Sequence, residues 1–138
     1  MNYNDSFIDS LFKKAKTLQK ERKHQEAIAQ FQEIHQTDPT FTKVYKPWAY
    51  SLMKLGKYNE AISKYETALK DNPTELDTNY ELASAFQQQG RIEQAMSQYQ
   101  SIIKLAPNDL KAHVNLGKLL CKQQRYGEGL CKFKKAID

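Results

Sequence analysis

Residues 58–73 read YNEAISKYETALKDNP, and residues 92–107 read IEQAMSQYQSIIKLAP. The second stretch is the first moved by 34 positions: Ala61 and Ala95, then Tyr65 and Tyr99 four residues on, then Pro73 and Pro107. Within each, apolar residues step by three and four, as in Ala61, Tyr65, Ala68 and Leu69, or Ala95, Tyr99, Ile102 and Ile103. That spacing lines one face of a helix and is not the alternation of a strand. The beat continues in both directions, with Ala27, Phe31 and Pro39 upstream and Gly129 and Phe133 downstream. A small residue, an aromatic and a proline repeated at this period mark a stacked array of helical hairpins.

Aligning on the prolines divides the single domain 1–138 into units of about 8–41, 42–75, 76–109 and 110–138. Each unit reads as two helices. The first helices are expected near 7–20, 43–55, 75–89 and 109–123, the second near 24–37, 58–71, 92–105 and 126–138. Gly56 and Gly90 fall between paired helices, where the chain reverses and a left-handed residue is useful. Asp38-Pro39, Asn72-Pro73 and Ala106-Pro107 close the second helices, because the residue before a proline avoids the helical region. Thr74 and Asn108 are the expected caps of the helices that follow, with Asp77 completing a capping-box-like arrangement. Pro47 inside the first helix of the second unit is expected to delay or bend its start.

The small residues have a steric role. Two helices approach closely only where the crossing lacks bulk, and Ala15, Ala49, Ala83 and Gly117 supply one side, Ala27, Ala61, Ala95 and Gly129 the other. A large side chain there costs on the order of 1–3 kcal/mol through overpacking. The aromatics fill the space between hairpins, each contributing roughly 1.5–3 kcal/mol when fully buried. A lone hairpin cannot cover its own apolar face, so the units must stack.

Bulk composition agrees. Of 138 residues 40% are hydrophobic, enough for a core, while five Gly and four Pro leave little punctuation for a many-stranded β fold. The net charge of +5 permits acidic partners without requiring nucleic acid. The longest apolar run is three residues, too short for a membrane span. Cys121 and Cys131 are too few for a disulfide scaffold and are read as reduced thiols. With no basic leader before Ser10, the expected location is cytoplasmic.

These residues resemble the tetratricopeptide repeat (TPR) family. The second unit supplies Tyr45, Trp48-Ala49, Leu52, Gly56, Tyr58, Ala61, Tyr65, Ala68 and Pro73. The third supplies Leu82-Ala83, Phe86, Gly90, Ala95, Tyr99 and Pro107, and the fourth Leu116-Gly117, Leu120, Tyr126, Gly129, Phe133 and Ala136. The first is the most degenerate, with Lys14-Ala15, Leu18, Ala27, Phe31, Ile34 and Pro39. The resemblance implies an all-α, right-handed superhelical solenoid of about four units and eight helices, its inner wall lined by the first helices. It places Phe12, Lys16, Gln19, Lys43, Lys46, Tyr50 and Met53 on that concave wall. Asp77, Tyr80, Ser84, Gln87, Lys111, Val114, Lys118 and Cys121 continue it. Aromatics mixed with long cations suit a protein or peptide segment, preferably an acidic one, with apolar anchors and charge fixing its register. Family members that clamp the C-terminal tail of heat-shock chaperones use a set of Lys, Asn and Arg positions matched here by Phe12, Lys16, Pro47, Asp77 and Glu81 in the first three units, or by Lys46, Tyr50, Glu81, Lys111 and Asn115 in the last three. Glu81 would repel the carboxylate in either frame, so that tail is not an expected partner.

No catalytic, metal or cofactor motif is expected. His24, His35 and His113 have no neighbour at a ligand spacing; His24 is expected to face solvent near a turn, and His113 to fill an aromatic-type slot. There is no Gly-rich phosphate loop and no nucleophile elbow. The leading expectation is a non-catalytic interaction scaffold. The alternatives are the TPR region of a larger enzyme or regulator, because the sequence stops about five residues short of a full unit at Asp138, and self-association through an uncapped last helix carrying Phe133 and Ile137. RNA binding is disfavoured, since no base-reading pair recurs per unit.

Overall fold

In a computed structural model, residues 3–123 and 126–137 are described, with backbone alone at 3, 4, 126 and 129–133. Among the described residues there are eight α-helices and no strand. They are α1 (Tyr3–Lys20), α2 (His24–Thr37), α3 (Tyr45–Lys54), α4 (Tyr58–Asp71), α5 (Leu76–Gln88), α6 (Ile92–Leu105), α7 (Leu110–Lys122) and α8 (Tyr126–Ile137). The protein is all-α. Its helices form two compact units, Met1–Asn72 and Pro73–Asp138. In the first, α1 pairs with α2 and α3 with α4, and α2 also packs on α3; in the second, α5 pairs with α6 and α7 with α8, and α6 packs on α7.

The crossing residues are buried as the spacing requires. Ala15, Ala27, Ala49, Ala61, Ala83 and Ala95 are each 0% exposed. Gly117 is buried, whereas the side positions of Gly129 and Phe133 lie outside the described residues. The aromatic that follows each small residue is also interior: Phe31, Tyr65 and Tyr99 are all buried. Both helices of a hairpin thus give their small residues to one seam and their larger ones to a neighbour.

Three turns between paired helices share one hydrogen-bond pattern. Lys23 N–H donates to Leu18 O (2.9 Å), Lys57 N–H to Leu52 O (2.9 Å) and Arg91 N–H to Phe86 O (2.8 Å). In each, the preceding residue donates three positions back: Arg22 to Gln19, Gly56 to Met53 and Gly90 to Gln87, all at 3.0 Å. This is a Schellman closure, which needs a left-handed residue. Gly56 (φ 75°) and Gly90 (φ 79°) provide it freely, but Arg22 adopts φ 63° with a side chain attached.

The second helices α2, α4 and α6 begin and end where the sequence places them, and α8 begins at Tyr126 as expected, its expected end at 138 lying outside the described residues. The first helices differ. α1 starts at Tyr3, earlier than expected, and Pro47 delays α3: Thr42–Val44 form a 3-10 turn and the α-helix begins at Tyr45. The capping expectations are corrected too. Glu75, not Thr74, precedes α5 and gives no side-chain cap, while Asp109, not Asn108, caps α7 by accepting from Ala112 N–H at 3.1 Å. Lys64 sets its Nζ 4.0 Å from the Trp48 ring centroid.

One device recurs across the 34-residue period with different chemistry. Asn79 Nδ2 donates to Pro73 O (3.2 Å) and to Glu75 O (2.8 Å). His113, one period later and 1% exposed, donates from Nε2 to Pro107 O (2.8 Å). Each staples the loop before a first helix to that helix.

The strained turn yields a prediction. A side chain in the left-handed region costs roughly 1–2 kcal/mol, partly offset by the greater unfolded freedom of glycine. Arg22→Gly is expected to stabilise the protein by about 0.5–1 kcal/mol, read as a higher urea midpoint at unchanged slope. A lower midpoint would show that the arginine is held by contacts worth more than its strain.

Candidate interaction surface

In the first unit α1 and α3 are locked by one side chain. Gln19 Nε2 donates to Pro47 O (2.5 Å) and to Ser51 Oγ (2.7 Å). Ser51 is 0% exposed, so its hydroxyl needs internal partners, and His24 Nδ1 lies 3.1 Å from it. The first turn of α2, the end of α1 and the middle of α3 therefore meet at one point.

Tyr50 stands beside this point and is 41% exposed. His24 packs edge-on to its ring (centroids 6.1 Å, 65°), and Lys54 Nζ sits 5.2 Å from the ring centroid on the same helix. An exposed aromatic held by neighbours has little side-chain entropy left to lose on contact with a partner. Gln19, Lys20, Arg22, His24, Tyr50 and Lys54 line an open cleft of about 570 Å³ here. His24, expected to face solvent near a turn, is half-buried, with part of its ring lining this cleft. Burial first, then the Lys54 and Arg22 charges, hold its imidazole below the usual range, so it is neutral at pH 7.

The other expected groove residues of this unit divide. Phe12 is half-buried, T-shaped against Phe41 (5.3 Å) and tilted on Phe31 (6.3 Å), with Lys16 Nζ 5.9 Å from its ring centroid. It belongs to the packing of α1 on α2 and on the loop that follows. Lys16 and Lys43 are exposed; Lys46 and Met53 are half-buried.

In the second unit Tyr80 is not an offered aromatic. It is half-buried, and its hydroxyl donates to Asp109 Oδ1 at 2.5 Å, the same oxygen that caps α7. Lys111 Nζ lies 4.5 Å from its ring centroid and Tyr99 packs at 6.2 Å. Burial and the adjacent Asp109 carboxylate push the Tyr80 hydroxyl well above the ordinary phenol range. Tyr99 in turn donates to Gln87 Oε1, and burial raises its pKa as well. Tyr80, Gln87 and Asp109 thus fix α5, α6 and α7 to one another. Asp77, Lys111 and Lys118 are exposed, and Ser84, Val114 and Cys121 half-buried. Ile137 at the end of α8 is 83% exposed. Among the described residues no group of three or more His, Cys, Asp or Glu is placed to hold a metal ion.

Two family profiles, both described as tetratricopeptide repeat, match residues 9–40 and 52–112, together more than half of the chain. The chain belongs to the tetratricopeptide repeat family. Solved structures agree on the fold of this TPR protein. A crystal structure of MamA superposes with a TM-score of 0.86 at 22% identity, covering 94% of this chain and 76% of that one. A MamA RS-1 double mutant gives 0.87 at 20% identity, covering 99% and 75%. MamA residues 41 to the end from Desulfovibrio magneticus RS-1 gives 0.85 at 20%, covering 98% and 75%. No curated protein matches by sequence. The TPR fold makes the chain a protein-interaction scaffold, with proteins as its general class of partner.

The cleft residues Lys20, Arg22, His24 and Lys54 were not among those expected from the resemblance. One signal pointed to them: Arg22 stands where the next two units carry glycine.

The shared Asp109 carboxylate yields a prediction. Asp109→Ala removes the α7 cap and the Tyr80 acceptor together, each bond worth about 1 kcal/mol. A loss of about 2 kcal/mol is expected in denaturant unfolding, against about half that for Tyr80→Phe, which keeps the cap. Equal losses would show that the cap contributes nothing.

Proposed function

We propose that this TPR protein is a non-catalytic scaffold that docks an extended, carboxylate-bearing segment of a partner protein on its first-helix faces, with Tyr50 as the apolar anchor. The observation that carries the reading is Tyr50 itself, 41% exposed yet oriented by His24 and Lys54 in a cleft lined by cations. Aromatic anchors dominate interface energetics when a partner covers them, and surrounding charge sets orientation and association rate more than affinity. The exposed Lys16 and Lys43 side chains add charge in the unit that holds Tyr50, and Lys111 and Lys118 are exposed on α7 of the other. Tyr80 takes no part as an anchor, because its hydroxyl and ring serve the α5–α7 contact.

The test is partner capture on the intact chain, followed by anisotropy titration of the captured acidic segment against the wild type and Tyr50→Ala. A loss of at least about tenfold is expected, the lower range for an aromatic anchor, with the thermal midpoint little changed because Tyr50 is not core. Equal affinity for both proteins would remove Tyr50 from the interface.

A further inference from the structure

The cleft between the α1–α2 turn and the end of α3 contains more than an anchor. Lys20 ends α1, Arg22 forms the turn, and Lys54 ends α3, all three exposed and all three lining one opening. Among the described residues no carboxylate lines it. The nearest one in sequence, Glu21, pairs instead with Lys23 at 3.4 Å. Like charges gathered without a counter-charge repel one another, and an entering anion relieves that repulsion. His24 forms the remaining wall. Its Nδ1 is turned to the buried Ser51 hydroxyl, which leaves Nε2 for a ligand. The groups facing this imidazole are Arg22 from the turn, Lys20 from α1, and Tyr50, Ser51 and Lys54 from α3.

We propose that this cleft is an anion subsite that seats a side-chain carboxylate of an acidic peptide, and that protonation of His24 tightens the grip. The site deepens the docking function proposed above and rests on it. The cations are two lysine ammoniums and one guanidinium spread around an open cleft, beside an exposed ring. That layout suits carboxylates carried on a chain with apolar neighbours, and charge complementarity selects an acidic peptide over other occupants.

The sign of the pH effect follows from the surroundings. Burial and the Lys54 and Arg22 charges keep His24 neutral at pH 7 in the free protein. A bound carboxylate favours the imidazolium and raises its pKa, so the complex takes up a proton as it forms. Affinity therefore rises as pH falls from the imidazole pKa of the complex toward the lowered one of the free chain.

The experiment uses the intact chain and fluorescein-labelled decaglutamate, followed by anisotropy at constant ionic strength. Affinity should rise about fivefold between roughly pH 7.5 and 5.5, the scale of one added charge near a screened carboxylate. His24→Gln should match the wild type at the higher pH and lose the rise. Lys54→Ala and Arg22→Gly should bind several-fold more weakly at both pH values. Because Arg22→Gly is expected to be the more stable protein, its weaker binding cannot be unfolding. The His24 ring resonances should titrate at higher pH when peptide is present. Binding that depends on Tyr50 but ignores Arg22, Lys54 and pH would overturn the subsite and leave the docking function standing. No binding at either pH would overturn both the subsite and the acidic preference. Displacement by inorganic phosphate at far lower concentration than by acetate would reassign the cleft from carboxylate to phosphate.

Discussion

The closest constraint in this protein is the distance at which paired helices cross. Six alanines, Ala15, Ala27, Ala49, Ala61, Ala83 and Ala95, are completely buried, and none leaves room for a larger side chain without overpacking. Once that seam is closed by small residues, the aromatic four positions later has nowhere to go but toward an adjoining helix. Phe31, Tyr65 and Tyr99 all become core for that reason. The first helices then have residues left over on a face that the hairpin itself does not use. An interaction surface is the by-product of how the core is filled.

Repetition of geometry without repetition of residues gives the two units different surfaces. The Schellman turn is the same at Arg22, Gly56 and Gly90, to within a few tenths of an ångström in its hydrogen bonds. Glycine meets its conformational demand at no steric cost, and arginine does not. Backbone strain kept at one copy of a repeated turn points to a use for the side chain held there. At that copy the guanidinium lies in a cleft with Lys20, Lys54 and His24. At the equivalent left-handed position Gly90 has no side chain to offer, and in that unit Tyr80 is tied to Asp109. Polar contacts in the second unit are spent on rigidity, while those in the first orient a tyrosine that remains accessible.

How much of this was legible depended on how local the deciding physics is. The second helices, His24–Thr37, Tyr58–Asp71 and Ile92–Leu105, were readable because proline, small residue and apolar step all act within one or two turns of chain. The starts of the first helices were not. After Pro107 both Asn108 and Asp109 are competent caps, and the choice falls on Asp109, whose carboxylate also receives the Tyr80 hydroxyl from 29 residues away. Tyr50 and Tyr80 looked alike as groove aromatics for the same reason: only a tertiary partner separates a 41% exposed ring from one bonded into a helix contact. The cleft cations were hidden because each lies at a helix end or turn, where a lysine or arginine ordinarily signifies solvent.

The three histidines show why environment rather than residue type assigns the roles here. His35 packs its ring against Tyr45 (5.9 Å) and Trp48 (6.0 Å) and acts as one more aromatic. His113 is 1% exposed and donates to Pro107 O, the task that Asn79 performs one period earlier with an amide. Its Nε2 must carry the proton to do so, because a carbonyl only accepts. A neutral donor suffices for that staple, as the asparagine demonstrates. His24 alone meets cations on one side and an open cleft on the other. There a change of charge alters the field a ligand encounters.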